Sequence, residues 1–166
     1  MSNAMQLEQV PSKYIPFVTR PIEILAGSSV PLSCASTSVD ETLASFTIAA
    51  GVLGENSILQ IEPLWTFPSS ANSKTLKIKI AGVTVYAATR TTSTREAPLF
   101  VLSNRNSLKS QIQPYDSGYA VAGSGTPQTF TIDFSVNVTV EIIGQRANAG
   151  EVLTLEYFRV LHFVSD

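Results

Sequence analysis

Hydrophobic and polar residues alternate along much of this chain, whereas the spacing typical of helices is nearly absent. Alternation with a period of two places successive side chains on opposite faces of a β-strand. The longest alternating run covers residues 128–143, in which every even-numbered residue from Phe130 to Ile142 is hydrophobic. Because strands of about five or six residues are the norm, we expect two strands here, with a break near residues 135–137.

Residues 43–82 predict three more strands joined by short polar turns. Pro63 lies in the second of these strands and cannot donate a ladder hydrogen bond, so we expect a sheet edge or a bulge there. In the third strand, Thr75, Lys77 and Lys79 alternate with hydrophobic residues, which predicts one solvated face. Residues 153–164 predict a long terminal strand, either central in a sheet or at a subunit contact.

The regular recurrence of strands and turn signals is typical of a β-sandwich or barrel. We predict an all-β fold, namely an antiparallel jelly-roll-like β-sandwich of about eight strands with an extended N-terminal arm. The residues expected in its core are Phe46, Ile48, Leu59, Ile61, Trp65, Leu76, Ile78, Ile80, Phe130, Ile132, Val138, Val140, Leu153 and Leu155.

The N-terminal quarter of the chain differs from the rest. Residues 1–4 resemble an expression-tag remnant in front of Met5. Residues 5–42 contain four prolines, which exclude a long helix and favour extended segments or edge strands. Two alternatives remain open for this arm: it wraps on its own domain, or it reaches a neighbouring subunit or a larger particle. We assign residues 43–166 to the sandwich domain.

Composition narrows the range of partners. The formal net charge of −2 argues against a nucleic-acid-binding protein, which is usually markedly basic. No apolar run approaches the roughly 18 residues that a membrane-spanning helix needs, so we expect no membrane span. The single cysteine, Cys34, excludes an intramolecular disulfide. We expect it to be a small buried residue, the alternative being an intermolecular bridge or a reactive thiol.

The sequence carries no recognisable catalytic motif. The only histidine, His162, lies in the terminal strand, and no G-x-S-x-G sequence supplies an activated serine for a triad. One histidine and one cysteine cannot build a zinc site of the usual kind. We therefore predict no enzyme, no catalytic residue, no metal and no cofactor. A glycan hydrolase remains a distant alternative, using two of the scattered carboxylates Glu62, Asp133, Glu141 and Glu156.

Two stretches are candidates for contacts. Residues 74–109 contain seven basic residues and one acid, either a solvated strand face with loop charges or a basic face for an anionic glycan or a nucleic-acid backbone. The second stretch is the loop that contains Tyr115, Asp116 and Tyr119. We regard it as a candidate contact or receptor loop, because aromatic side chains with polar tips suit interfaces. The alternative is that these tyrosines pack on the edge of the sandwich.

Several short sequences resemble a module found in structural proteins of tailed bacteriophages, such as tail fibres and tail spikes. The similar segments span roughly residues 43–160: AGVLGEN at 50–56, ILQI at 58–61, Trp65, SANSKT at 70–75, Gly82, SNRNS at 103–107, Gln111, TVEIIGQ at 139–145, AGE at 149–151 and LTLE at 153–156. The family is a structural one and transfers no catalytic residues. The resemblance implies a β-sandwich subunit of a phage or prophage virion, assembled in the bacterial cytoplasm.

The leading hypothesis is therefore a virion structural protein, tail-fibre or tail-associated, that acts by self-assembly. The resemblance implies a homo-oligomer, with a trimer favoured, in contact with other virion proteins. The alternative is a carbohydrate-binding module that reads a cell-surface glycan as the host receptor.

Overall fold

The computed structural model describes residues 22–114 and 124–165, and this part of the chain is entirely β-structure and connecting loops. Its strands are β1 (Ile22–Ser28), β2 (Leu32–Ser33), β3 (Glu41–Ile48), β4 (Ile58–Thr66), β5 (Lys74–Ile80), β6 (Val83–Arg90), β7 (Arg95–Glu96), β8 (Phe100–Asn104), β9 (Gln111–Gln113), β10 (Gln128–Phe130), β11 (Val138–Arg146) and β12 (Thr154–Phe163).

The strands form two antiparallel sheets, which confirms the predicted fold class. The larger sheet has the order β1-β12-β4-β8-β9-β10, with β2 beside β12 and β7 beside β4, and the smaller has the order β3-β11-β5-β6. Twelve strands are described where about eight were expected. Four of them, β2, β7, β9 and β10, have only two or three residues each, so the number of longer strands is eight.

The remaining eight strands interleave between the sheets. Numbered first to eighth along the chain, they appear as first-eighth-third-sixth in the larger sheet and second-seventh-fourth-fifth in the smaller. This pairing of early strands with late ones is the double Greek key of a jelly roll.

The core lies between the two sheets and is built from the inward-facing residues of the alternating strands. Of the expected core residues, twelve are buried: Ile48, Leu59, Ile61, Trp65, Leu76, Ile78, Ile80, Ile132, Val138, Val140, Leu153 and Leu155. Phe46 and Phe130 are half-buried and pack against this core. The ring of Phe46 stacks on that of Phe158, with 6.2 Å between centroids.

Three local predictions are confirmed. Residues 131–137 separate β10 from β11, and these two strands belong to different sheets, so the break is a crossing between layers. Pro63 lies between the part of β4 that pairs with β8 and the part that pairs with β7, so its missing N–H falls at a local edge. β12 is central, with β1 on one side and β4 on the other.

The N-terminal strands are integral to the larger sheet. β1 pairs with β12 along its length, with an irregularity between Ile24 and Ala26, and β2 pairs with the beginning of β12. Residues 22–33 of the predicted arm are therefore edge strands of their own domain.

Candidate functional site: an apolar outer face on the larger sheet

The outer face of the larger sheet carries hydrophobic residues where solvent would be expected. Strand register places Ile22, Phe163 and Ile58 side by side in one row across β1, β12 and β4. The next row contains Ile24, Leu161 and Gln60. A sandwich strand normally presents polar residues on the face that points away from the core. We call Ile22, Ile24, Ile58, Leu161 and Phe163 the outer apolar face.

Exposure is greatest at the β1 end of this face. Ile24 is 71% exposed and Ile22 is 56% exposed, whereas Ile58, Leu161 and Phe163 are half-buried. Two further exposed hydrophobic residues, Val30 and Leu32, lie just after β1. β1 is also the last strand of its sheet, so within the described residues its outer backbone edge is open. Open edges and clustered exposed hydrophobic residues are both features of protein contact sites.

A polar border closes one side of the outer apolar face. Arg159 Nη2 lies 2.5 Å from Glu62 Oε2 in the next row, and the Gln60 amide donates to Glu62 Oε1. An apolar centre with a polar rim is the usual anatomy of a protein interface.

On the β8 and β9 side, the hydrophobic character continues into an open pocket. Strand pairing places Val101 of β8 beside Gln60, and Ser103 of β8 between Ile58 and Ile112 of β9. The pocket has a volume of about 320 Å³ and is lined by Val101, Ser103, Ile112, Gln113, Pro114 and Pro127.

Among the described residues, the arrangement most like a catalytic centre lies on the inner side of the same strands. His162 Nε2 lies 2.9 Å from Ser57 Oγ, and His162 Nδ1 lies 3.1 Å from Glu23 Oε2. The sequence contains no G-x-S-x-G serine for His162, and the proximity of Ser57 was not predicted. The alternation of residues could have predicted that Ser57 points inward, since Ser57 shares the parity of the inward-facing Leu59.

In this serine–histidine–glutamate cluster, the serine hydroxyl that would act as the nucleophile is buried away from solvent. Ser57 is 2% exposed and His162 is 1% exposed, and the Gly54 N–H donates to Ser57 Oγ at 2.8 Å. Acyl transfer requires the nucleophile to meet the scissile carbonyl. In this geometry the cluster links β1, the turn before β4 and the end of β12.

The basic stretch at residues 74–109 does not form a uniform cationic face. Lys74 is 0% exposed, and its Nζ donates to Ser70 Oγ at 2.8 Å and to the carbonyls of Asn72 and Thr91 at 2.9 and 3.0 Å. Glu151 Oε2 lies 3.5 Å from the same Nζ. Lys74 has the parity of the buried residues of β5, which explains why it points inward.

Other basic residues of this stretch also have carboxylate partners. Lys77 and Lys79 both contact Asp40. These contacts lower the pKa of the Asp40 carboxyl, and the contact with Lys77 has the larger effect. Two further pairs within the described part of the chain join Arg90 to Glu96 and Lys109 to Asp133.

Cys34 is buried, with 3% exposure, and its thiol donates to Glu41 Oε2 at 3.2 Å. Burial, reinforced by this carboxylate, raises the pKa of the thiol from 9.0 to about 11. Glu41 in turn has a lowered pKa, chiefly because it accepts the Ser36 N–H at 2.6 Å. These contacts hold the segment after β2 against β3 and β11.

The contact loop predicted from the sequence, with Tyr115, Asp116 and Tyr119, lies outside the described residues. Within the described ranges, His, Cys, Asp and Glu side chains form no group of three that could hold a metal ion. The same ranges contain no helix that is long and apolar enough to cross a membrane.

Comparisons with known proteins give only distant structural likeness. No family model matches the chain, and no curated protein matches it. The insecticidal δ-endotoxin Cry8Ea1 of Bacillus thuringiensis is 12% identical with a TM-score of 0.42, over 82% of this chain and 20% of that chain.

Two structures of infectious bursal disease virus are also similar. The Gx strain structure is 11% identical with a TM-score of 0.34, and the VP2 subviral particle is 16% identical with a TM-score of 0.32. Each covers 89% of this chain and 42% of that chain. This chain thus spans less than half the length of each of these structures.

Proposed function

We propose that this protein is a structural subunit of a tailed-phage or prophage virion, and that it acts through protein contacts rather than catalysis. The observation that carries the proposal is the outer apolar face beside the open edge of β1. Ile24, at 71% exposure, and Ile22, at 56%, are costly to leave in water and gain their stabilisation on contact with a partner.

The free energy available from this face fits association. Covering a fully exposed isoleucine is worth about 1.5 to 3 kcal/mol, so covering Ile22 and Ile24 together favours contact by a few kcal/mol. The half-buried Ile58, Leu161 and Phe163 would add to this. The Glu62–Arg159 pair at the border would favour one orientation of the partner over others.

The resemblance of residues 43–160 to tail-fibre and tail-spike modules supplies the class of assembly. It supports a tail-associated position in the virion, a trimer and contacts with other virion proteins. The buried Ser57 and His162, the most catalytic-looking pair in the described residues, have a structural role in this proposal.

The experiment is the molar mass of the full chain by light scattering behind size exclusion, at two protein concentrations. We expect a mass near three chains at the higher concentration. A mass of one chain at both concentrations would contradict the proposal. It would favour the carbohydrate-binding alternative, for which a glycan array is the next measurement.

A further inference from the structure

We propose that this chain cleaves its own peptide bond between Asn56 and Ser57, with the Ser57 hydroxyl as the nucleophile. Ser57 comes immediately before β4, and its side chain belongs to the serine–histidine–glutamate cluster. Each chain would react once and only with itself. This activity is therefore separate from the assembly contacts proposed above and goes beyond them.

Burial of the cluster excludes an external substrate but not the backbone of the same chain. Ser57 is 2% exposed and His162 is 1% exposed, so a second molecule does not reach them. A serine Oγ, however, always lies near the carbonyl carbon of the preceding residue, because only Cβ, Cα and N separate the two atoms. Attack on that carbon needs no opening to solvent. The Asn56 carbonyl is thus the acyl group within reach of this hydroxyl.

The hydrogen bonds of the cluster direct the Ser57 proton towards His162. A carboxylate only accepts hydrogen bonds, so the contact of 3.1 Å with Glu23 Oε2 places the ring proton on His162 Nδ1. His162 Nε2 is then unprotonated and faces Ser57 Oγ at 2.9 Å. The Gly54 N–H already donates to the same Oγ at 2.8 Å, which leaves the hydroxyl proton for Nε2. His162 is thus placed as the general base, and Glu23 positions it.

The carbonyl that would be attacked has a hydrogen-bond donor of its own. Ser165, just after β12, donates from its hydroxyl to the Asn56 carbonyl oxygen. A donor at this oxygen stabilises the negative charge that develops on it during acyl transfer. The end of the chain packs closely on the turn, since a Cβ added at Gly54 would lie 3.1 Å from the Ser165 carbonyl oxygen. A nucleophile, a base and an oxyanion donor therefore meet at one peptide bond.

The reaction balances with water as the only other reactant. Ser57 Oγ forms a bond to the Asn56 carbonyl carbon as His162 Nε2 takes the hydroxyl proton. The C–N bond then breaks, and the imidazolium gives the proton to the Ser57 nitrogen, which becomes a free amine. The product is an ester between Asn56 and the Ser57 side chain. Water hydrolyses this ester, which leaves a carboxyl group on Asn56 and restores the Ser57 hydroxyl.

The two pieces would stay together in the folded domain. β1 and β2, which precede the cleaved bond, pair with β12, and β3 pairs with β11, so both sheets hold the pieces together. Cleavage would therefore leave the native mass unchanged and become visible only under denaturing conditions. Refolding from denaturant would become a reaction between two chains, so its yield would depend on protein concentration.

Intact-mass spectrometry under denaturing conditions tests this inference on the full chain. The purified protein is incubated for several days at about pH 8, where an ordinary imidazole is unprotonated. We expect one fragment that ends at Asn56 and one that begins at Ser57, with masses that sum to that of the chain plus one water. Hydroxylamine should speed the cleavage and leave a hydroxamate on Asn56, because it attacks an ester faster than water does.

Point variants separate the roles of the side chains. Ser57→Ala should give no fragment, whereas Ser57→Cys keeps a nucleophile and should be cleaved at the same bond. Ser165→Ala keeps the nucleophile and the base, and the lost donor should slow cleavage by about 10²-fold. Ser45→Ala is the control, because Ser45 is exposed on the smaller sheet and its loss should leave the rate unchanged. Circular dichroism establishes that each variant is folded.

Three results would overturn the inference. The first is a wild-type chain that stays intact both with and without hydroxylamine. The second is cleavage that persists in Ser57→Ala, which would assign the reaction to the Asn56 side chain or to a contaminating protease. The third is an equal rate for Ser165→Ala and the wild type, and this comparison decides the question if Ser57→Ala does not fold.

Discussion

Glu23 and His162 face each other directly across β1 and β12, and Glu23 Oε2 lies 3.1 Å from His162 Nδ1. The other ring nitrogen of His162 contacts Ser57 Oγ at 2.9 Å. One side chain thus connects the sheet edge, where Glu23 is half exposed, to a fully buried turn. The edge that borders the outer apolar face is therefore held by a specific polar contact as well as by the ladder.

The first prediction follows from this contact. Ser57→Ala should lower the free energy of unfolding by about 1 to 3 kcal/mol, because a buried ring nitrogen and the Gly54 N–H each lose a partner. Glu23→Gln should cost less, since the Glu23 side chain is 49% exposed and the amide can still bond. Urea unfolding followed by fluorescence gives both values. Equal losses in the two variants would contradict this assignment.

The second prediction concerns the buried ammonium of Lys74. Lys74→Met removes the donor from two carbonyls and the charge beside Glu151, so we expect a loss of about 3 to 5 kcal/mol. Lys77→Met is the matched control on the same strand. Its partner Asp40 is partly exposed, so the expected loss is under about 1 kcal/mol. Chemical denaturation gives the free energy of unfolding of both variants. A loss below about 1 kcal/mol for Lys74→Met would show that the carbonyls and the carboxylate around the ammonium do not stabilise the fold.

The third prediction is a pH dependence from Cys34. Its pKa is about 11 in the folded protein against 9.0 for an ordinary thiol. Because the folded-state value is the higher one, the associated stability is fully present below pH 9 and disappears as the pH rises through 11. Between about pH 8 and pH 11 the wild type should lose about 2 kcal/mol more than Cys34→Ala.

Urea unfolding of wild type and Cys34→Ala at the two pH values measures this difference, and the variant cancels the titration of all other groups. A thiol reagent should also modify native Cys34 far more slowly at about pH 8 than it does the unfolded chain. Parallel pH curves for the two proteins would refute the shift.

The fourth prediction concerns the packing around Gly144 of β11. A Cβ added at Gly144 would lie 2.7 Å from Leu153 Cδ2 and 3.0 Å from Leu43 Cδ1. Gly144→Ala should therefore cost about 1 to 3 kcal/mol by overpacking. Adding Leu153→Val, which shortens the side chain in contact, should recover part of that loss, and thermal unfolding of both variants measures it. Strictly additive losses would mean that the clash is relieved elsewhere.

Much of the fold could be predicted because alternation reports burial directly. Leu76, Ile78 and Ile80 share one parity and are all 0% exposed. The same parity includes Lys74, which the sequence analysis counted only among the seven basic residues of the stretch at 74–109. Parity was the stronger signal here, since a cage of carbonyls compensates for burying the ammonium.

The site could not be predicted because it depends on pairing between distant parts of the chain. Glu23 and His162 are 139 residues apart, and only the register of β1 on β12 brings them together. The outer apolar face also depends on that register, because Ile24 lies near the beginning of the described chain and Leu161 near its end. Each strand alone shows only which residues share a side, and a jelly roll pairs strands that lie far apart in sequence.

The pairing of β1 with β12 also determines how this domain would respond to mechanical force. Ile22, where β1 begins, is the partner of Phe163, where β12 ends, so both strands leave the sheet at the same corner. Tension applied between these two points would open the ladder one hydrogen bond at a time, as a zipper opens, instead of shearing all its bonds at once. Under tension between these two points, the β1–β12 ladder would therefore open from this corner before any other pair of strands is loaded.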